Sequence, residues 1–116
     1  MSRAGERLLK YALSFPETAE SRPWGETAIK VKGKIFLVMK DEDGLKVSVK
    51  LPESREFALD RDFCMPTHYG LGAKGWVTAQ FGPKDKPPAG LLEAWIEESY
   101  RAIAPKKIVA ALKSNS

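Results

Sequence analysis

Cysteine and histidine are scarce in this sequence, which holds one of each, Cys64 and His68, among its 116 residues. A single cysteine excludes an internal disulfide and a zinc site built from several thiolates. No apolar run approaches the roughly 20 residues of a transmembrane helix. Charged residues also interrupt the apolar pattern near the N-terminus, unlike the core of a secretory signal peptide. These absences predict a cytoplasmic protein that holds no metal and does not enter a membrane.

Pairs of residues suited to catalysis are also few. Cys64 and His68 are the nucleophile and base that a cysteine mechanism would use. Pro66 lies between them, and it breaks the helix that would align two residues four positions apart. Asp60 and Asp62 are typical of a solvated loop. The sequence therefore predicts a protein that is not an enzyme and uses no cofactor.

Three glycines, Gly70, Gly72 and Gly75, give the spacing G-x-G-x-x-G in the segment THYGLGAKGWVTAQF. A phosphate-binding loop of that pattern follows a strand and opens a helix, whose N–H groups face the anion. Here the glycines lead into Trp76 and a strand-like run. The pattern favours a flexible turn, with Lys74 and Trp76 at its mouth, over a nucleotide loop.

The chain is long enough for one hydrophobic core, and we expect a single domain over residues 1–116. Helices are predicted from Ser2 to about Ser14, within 53–59, over 89–103 and from Pro105 onward, and strands over 27–31, 35–39, 45–51 and 76–81. Residues 17–25 are predicted to form a packed connection, and 60–75 a loop with short extended pieces. This order predicts an α+β fold, in which N- and C-terminal helices pack on one face of an antiparallel sheet.

The other face of such a sheet can meet solvent, and the strand pattern places lysines there. Leu45, Val47 and Val49 point to one side, so Lys46 and Lys50 point to the other. Within residues 29–50 there are six lysines and three acids, and the acids cluster at 41–43. If the strands pair as hairpins, one face is predicted to carry Lys30, Lys32, Lys46 and Lys50, with Lys34 starting the return strand.

The aromatic residues divide between core and surface in this prediction. Val77, Ala79 and Phe81 form the more apolar side of their strand, so Trp76 is expected on the exposed face. Trp24 and Trp95 are expected to be structural, and Phe57 and Leu59 are expected to face inward.

Three functions agree with a lysine-rich face. Nucleic acid is one partner, because lysines neutralise phosphates while an aromatic ring stacks on a base. An acidic protein surface is a second partner, and a small ligand between the Gly-rich turn and the His68 segment is a third. The same lysines would also keep an exposed sheet face soluble without any partner.

Several short motifs occur in a characteristic order along nearly the whole chain. They are FPETAE at 15–20 followed by Trp24-Gly25, KGKIF at 32–36, VKLP at 49–52, GWV at 75–77, and Ser99-Tyr100. In these motifs the chain resembles the MmcQ/YjbR family of small bacterial proteins. Phe15 and Glu17 stand where that family often shows Leu-Pro-Gly, a difference that affects a turn.

The resemblance implies a CyaY-like α+β fold and a non-catalytic DNA-binding role through two hairpin wings. The wings would be the turns around Gly33 and around Asp43-Gly44. The implied nucleic-acid-binding residues are Lys30, Lys32, Lys34, Lys46, Lys50, Lys74 and Trp76. Frataxin-like iron binders share the fold and use an acidic first helix, whereas the first helix here is mainly basic. We therefore expect a monomer that binds DNA and no iron.

Overall fold

A computed structural model of the protein describes residues 2–22, 25–68 and 70–113. Its helices are α1 (Arg3–Leu13), α2 (Arg55–Leu59), α3 (Ala89–Ile103) and α4 (Lys106–Lys113). Its strands are β1 (Thr18–Ser21), β2 (Thr27–Val31), β3 (Lys34–Asp41), β4 (Leu45–Lys50), β5 (Cys64–Pro66) and β6 (Trp76–Phe81). Trp24, predicted to be structural, lies outside the described residues.

The strands form one six-stranded antiparallel sheet in the order β1-β2-β3-β4-β6-β5. Helices α1 and α3 contact each other and lie against the sheet. A single cluster of buried side chains from the sheet, α1, α2 and α3 forms the core between these layers. The predicted α+β class, with helices from both ends of the chain flanking the sheet, is confirmed.

Helix α1 begins as predicted because Ser2 caps it. The Ser2 hydroxyl accepts a hydrogen bond from the backbone N–H of Gly5 at 3.0 Å. The Ser2 backbone N–H and hydroxyl also donate to Asp41 Oδ2, at 2.7 and 2.9 Å. Leu8 and Ala12 are fully buried on the inner side of the helix. The start of α1 is thereby fixed to the end of β3.

One residue of β3 has no counterpart on β2. Ile29 lies opposite Leu37 while Lys30 lies opposite Ile35, so Phe36 is the extra residue of a β-bulge. Because of the bulge, Phe36 and its neighbour Leu37 are both fully buried. Ile35 stays on the opposite, solvent-facing side of the sheet.

The prediction of a packed connection over residues 17–25 is wrong for its first half, where β1 forms. This strand is polar and pairs with β2 from Thr18 opposite Val31 to Ser21 opposite Ala28. An edge strand of this kind is held by backbone hydrogen bonds to its neighbour, and its side chains need no apolar alternation. Sequence periodicity therefore did not predict it.

The inward position predicted for Phe57 is also wrong. Phe57 is 52% exposed, and the Arg61 guanidinium lies 4.4 Å from the centre of its ring. Helix α2 has only five residues, and Ala58 is the one that is fully buried. Leu59 packs against the core as predicted. A helix this short presents about one residue per turn to the core. In α2 that residue is the small Ala58, and Phe57 therefore points away from the core.

The described helices include none that is both long and apolar enough to cross a membrane.

Candidate nucleic-acid interface

The sheet face opposite the core carries three of the six predicted lysines. Residues directly opposite one another on paired strands share a face, and Lys50 lies opposite Trp76. Two residues before Lys50 in β4, Ser48 lies opposite Thr78, and two residues before Ser48, Lys46 lies opposite Gln80. We call the side of the sheet that carries these six residues the open face. On it, Lys46 and Lys50 flank Ser48 along β4.

Lys30 joins the open face from β2, where it lies opposite Ile35. Lys40, which the sequence-based set of site residues omitted, also lies there, directly opposite Lys46. The signal for it was present, because alternation from Val38 already placed Lys40 outward. In the described parts of the chain, none of Lys30, Lys40, Lys46 and Lys50 takes part in an ion pair.

Lys32 does not share the open face, and that prediction is wrong. It occupies the β2–β3 turn with φ of 50°, beside Gly33 with φ of 81°. Its Nζ atom lies 2.8 Å from Glu17 Oε1, and this contact lowers the pKa of Glu17. Hairpins with two-residue loops favour turns of positive φ, and the turn carries Lys32 out of the strand alternation.

Two further lysines of the predicted site occupy other positions. Lys34 lies opposite Val31, a buried residue, so it belongs to the edge of the core side of the sheet. Lys74 is exposed in a single 3-10 turn, Gly72–Lys74, within the loop that precedes β6. The structure therefore places Lys30, Lys46, Lys50 and Trp76 on one face of the sheet and leaves Lys32, Lys34 and Lys74 off it.

Trp76 is half-buried and lines the open face, as predicted. Its neighbours in alternation, Val77, Ala79 and Phe81, are buried in the core. Trp95 of α3 is buried, as its structural role requires. The indole of Trp76 is therefore available at a surface, beside the lysine on the neighbouring strand.

The Gly-rich turn is a compact loop that leads into a strand, as expected. The backbone N–H of Gly72 donates to Thr67 at 2.9 Å, and that of Trp76 donates to Leu71 at 3.1 Å. A side chain at Gly72 would place its Cβ 2.8 Å from the Cβ of Pro66. The missing side chain lets the loop fold back over β5, which brings Leu71 to the open face.

A pocket of about 340 Å³ lies between this loop and the open face. Its apolar lining consists of Ile35, Val38, Leu71 and Trp76. Ile35 and Leu71 are 37% and 38% exposed, which is unusual for large apolar side chains in this protein. The pocket thus offers apolar surface that nothing in the described chain covers. Lys46, His68 and Glu26 also line it.

Three hydroxyl groups form a chain across the pocket. The Ser48 and Thr78 hydroxyl oxygens are 2.8 Å apart, and those of Thr78 and Thr67 are 2.9 Å apart. Ser48 and Thr78 are almost completely buried. Sequence alternation placed Ser48 and Thr78 on the outward side of their strands, but only the pairing of β4 with β6 shows that they meet.

Cys64 and His68 lie on opposite sides of the sheet. Cys64 lies opposite Ala79 and packs against the core, whereas His68 lines the pocket on the open face. Burial raises the pKa of the Cys64 thiol to about 11, although the positive charge of Arg61 acts to lower it. Little thiolate, the reactive form, is present near neutral pH.

A second depression, of about 610 Å³, lies on the helix side and is lined by acids and one arginine of α3. Three of its four charged side chains, Glu97, Glu98 and Arg101, have partners. Glu98 accepts hydrogen bonds from the backbone N–H groups of Glu53 and Ser54, both at 2.9 Å. Arg101 pairs with Glu97 at 2.8 Å. These contacts fasten the start of α2 to α3 and do not form a site for an anionic ligand.

The two predicted wings lie at opposite ends of the sheet. The turn at Gly33 precedes β3 and the turn at Asp43-Gly44 follows it, so the eight residues of β3 separate them. At about 3.3 Å per residue this is roughly 26 Å. The second turn is acidic, since Glu42 and Asp43 are exposed at its tip. It does not suit a polyanion.

Across the described residues, no group of three or more histidine, cysteine, aspartate or glutamate side chains is placed to hold a metal ion. The fold and site define an α+β protein whose sheet face opposite the core carries lysines and a pocket lined in part by Trp76. A family model described as YjbR matches residues 13–102. The chain therefore belongs to the YjbR family, which confirms the resemblance seen in its motifs. No curated protein matches the chain.

Proposed function

We propose that this protein binds nucleic acid, DNA in the first instance, through the open face and without catalysing a reaction. The observation that carries the proposal is that four lysines outside any ion pair share one sheet face with Trp76, and that none of the described α-helices packs on this face. Lysines that neutralise phosphates release condensed counterions, which favours binding. An exposed indole adds stacking on bases.

The arrangement of like charges supports an anionic partner. Lys40 and Lys46 are directly opposite on neighbouring strands, and like charges in that position destabilise a sheet. A phosphate between them would remove the repulsion. The cost of keeping both lysines in the free protein is then offset when the ligand binds.

The distribution of acids supports the same face. Glu93, Glu97 and Glu98 lie on α3, on the helix side of the sheet. Asp41 is hydrogen-bonded to Ser2 at the far end of β3. Among the described residues that line the pocket, Glu26 is the single acid. Segregation of charge in this way concentrates positive potential on the open face.

Lysines supply little sequence discrimination, because bidentate reading of bases uses arginine, asparagine or glutamine. We therefore expect binding that is largely independent of sequence. The acidic tip at Asp43-Gly44 also disfavours two wings acting together. The proposed contact surface is the sheet face itself, with the basic turn at Gly33 at its edge.

The test is fluorescence anisotropy of a labelled DNA titrated with the protein at several salt concentrations. The test variant changes Lys30, Lys40, Lys46 and Lys50 to alanine. Its matched control changes four exposed lysines away from the open face, Lys10, Lys84, Lys106 and Lys107. Both variants lose the same charge, so a difference between them reports position. Circular dichroism and thermal unfolding confirm that each variant folds.

Four neutralised phosphates would give a slope of log affinity against log salt of about −3 to −4. We expect the test variant to lose most of this slope and at least tenfold in affinity, and the control to lose much less. Equal losses in the two variants would show that net charge alone drives binding. Absence of binding at low salt would overturn the proposal and leave an acidic protein or a small ligand as the partner.

A further inference from the structure

We infer that the pocket on the open face takes one unstacked base, so that the protein prefers single-stranded nucleic acid to duplex. This inference rests on the proposed nucleic-acid function and specifies which form is bound. The pocket volume of about 340 Å³ is near the lower limit of pockets that hold small ligands, roughly 300 to 1,000 Å³. It suits a single base with part of its sugar.

The lining suits a flat, largely apolar group. Trp76, Ile35 and Val38 belong to the sheet, and Leu71 reaches the pocket from the loop. A base in this space would contact an indole and cover the exposed surface of Ile35 and Leu71. In a duplex both faces of a base are stacked on neighbours, and extruding it costs a few kcal/mol. A single strand avoids most of that cost.

The hydroxyl chain matches the edge of a base. Three hydroxyl groups hold three protons, and the two hydrogen bonds from Ser48 to Thr78 to Thr67 use two of them. One O–H therefore stays available to donate, and each oxygen keeps acceptor capacity. Each hydrogen bond between these hydroxyl groups can run in either direction. The three hydroxyl groups can therefore adapt to a partner that offers a donor and an acceptor side by side. Every base does so on its pairing edge, so little base preference is expected.

The lysines lie where a strand entering and leaving the pocket would carry phosphates. Lys46 and Lys50 flank Ser48 on β4, two residues to either side, which separates their Cα atoms by roughly 13 Å. Lys46 lines the pocket itself. A base above Ser48 would thus have a lysine near the backbone on each side. If the same lysines bound the phosphates of an intact duplex, no base would enter the pocket.

The experiment compares a labelled single strand of mixed sequence that forms no hairpin with the same strand paired to its complement, at a length and one salt concentration at which the duplex stays fully paired. Wild-type protein is measured beside Trp76→Ala and Trp76→Phe. Phe57→Ala serves as the control, since Phe57 is an exposed aromatic residue that does not line the pocket. Loss of one base stack by alanine substitution weakens single-strand binding by roughly tenfold. The phenylalanine variant should recover part of this loss, and duplex binding should change little.

A second pair of variants avoids dependence on the folding of the Trp76 substitutions. Leu71→Glu, at a loop position 38% exposed, places a carboxylate in the pocket. Phe57→Glu adds the same charge elsewhere. We expect Leu71→Glu to reduce the preference for the single strand, and Phe57→Glu to preserve it.

The outcomes separate this inference from the proposed function. Tighter binding of the single strand, lost in Trp76→Ala and Leu71→Glu, supports the inference. Equal or tighter binding of the duplex, unaffected by these variants, overturns it and leaves nucleic-acid binding in place. Binding of neither polymer overturns both. Binding of thymidine monophosphate with neither polymer would also overturn both and assign the pocket to a small ligand.

Discussion

The hydroxyl of Ser99 donates a hydrogen bond of 2.6 Å to the carbonyl oxygen of Phe36. The same hydroxyl accepts one of 2.9 Å from the backbone N–H of Lys50. The pairing of Leu37 with Val49 would place Phe36 opposite Lys50 in a regular ladder. The pairing of β3 with β4 instead ends at Leu37 and Val49, beside the β-bulge, and a side chain of α3 supplies the partners of the next two backbone groups. The position of Lys50 on the open face therefore depends on a helix on the other side.

We predict that Ser99→Ala destabilises the protein by about 2 to 4 kcal/mol, because it leaves two backbone groups without their partner. Tyr100→Phe is the comparison. It removes one hydroxyl, which donates to the carbonyl of Pro16 at 2.7 Å, and we expect a loss of about 1 kcal/mol. Urea unfolding of both variants measures the difference. A loss for Ser99→Ala no greater than for Tyr100→Phe would show that water replaces the hydroxyl.

We predict that Gly44→Ala is far more damaging than Gly33→Ala. Both glycines have positive φ, 112° and 81°, but a Cβ at Gly44 would collide with the carbonyl oxygen of Phe81. A Cβ at Gly33 meets nothing within 4 Å. Backbone strain alone costs about 1 kcal/mol, so we expect about that for Gly33→Ala and roughly 3 kcal/mol for Gly44→Ala. Thermal unfolding of the pair checks this, and equal effects would contradict the packing argument.

We predict that Cys64 reacts slowly with thiol reagents. Burial raises its pKa from 9.0 to about 11, so at pH 8 the thiolate fraction falls roughly 100-fold relative to an unshifted thiol. The measurement is the rate of reaction with iodoacetamide in the folded protein and in urea. The folded rate should rise tenfold per pH unit between pH 8 and 10. A folded rate equal to the unfolded rate would show that the thiol is neither buried nor shifted.

We predict that ionisation of the Tyr11 hydroxyl lowers the free energy of unfolding at alkaline pH. Burial, followed by the hydrogen bond to Glu97, raises its pKa from 10.0 to about 12. The folded state then keeps a proton that the unfolded state loses, so stability is complete below pH 10 and declines as the pH rises through 12. Tyr11→Phe should flatten part of this decline in urea unfolding between pH 8 and 11.5. The proteins with and without Tyr11→Phe should both carry Cys64→Ala, because the thiol titrates in the same pH range. An equal decline of the unfolding free energy with pH in the two proteins would contradict the role of Tyr11.

The sequence predicted the parts of the fold that depend on neighbours along the chain. The start of α1 at Ser2, the strand at 76–81 and the helix at 89–103 all follow from capping and periodicity, and all are confirmed. The family was also recognisable from motifs. Alternation within β4 and β6 placed Lys46, Lys50 and Trp76 on the outward side. Local patterns suffice here because side-chain direction repeats every two residues in a strand.

Other features needed the tertiary structure. Lys32 leaves the open face because a two-residue turn of positive φ interrupts the alternation. Phe57 is exposed because a five-residue helix shows the core only one of its sides. Strand β1 is polar and is stabilised by pairing, which periodicity does not reveal. Turn geometry, helix length and strand pairing outweighed the local pattern in these three cases.

The sequence by itself determined the fold class, the excess of lysine between residues 29 and 50, and the outward direction of Trp76. Only the tertiary structure decided which lysines meet, that the hydroxyls of Ser48 and Thr78 touch, and that the loop bearing Leu71 encloses a pocket. The physical reason is that direction within a strand is a local property. Strand order, register and loop placement depend on burial of the whole core.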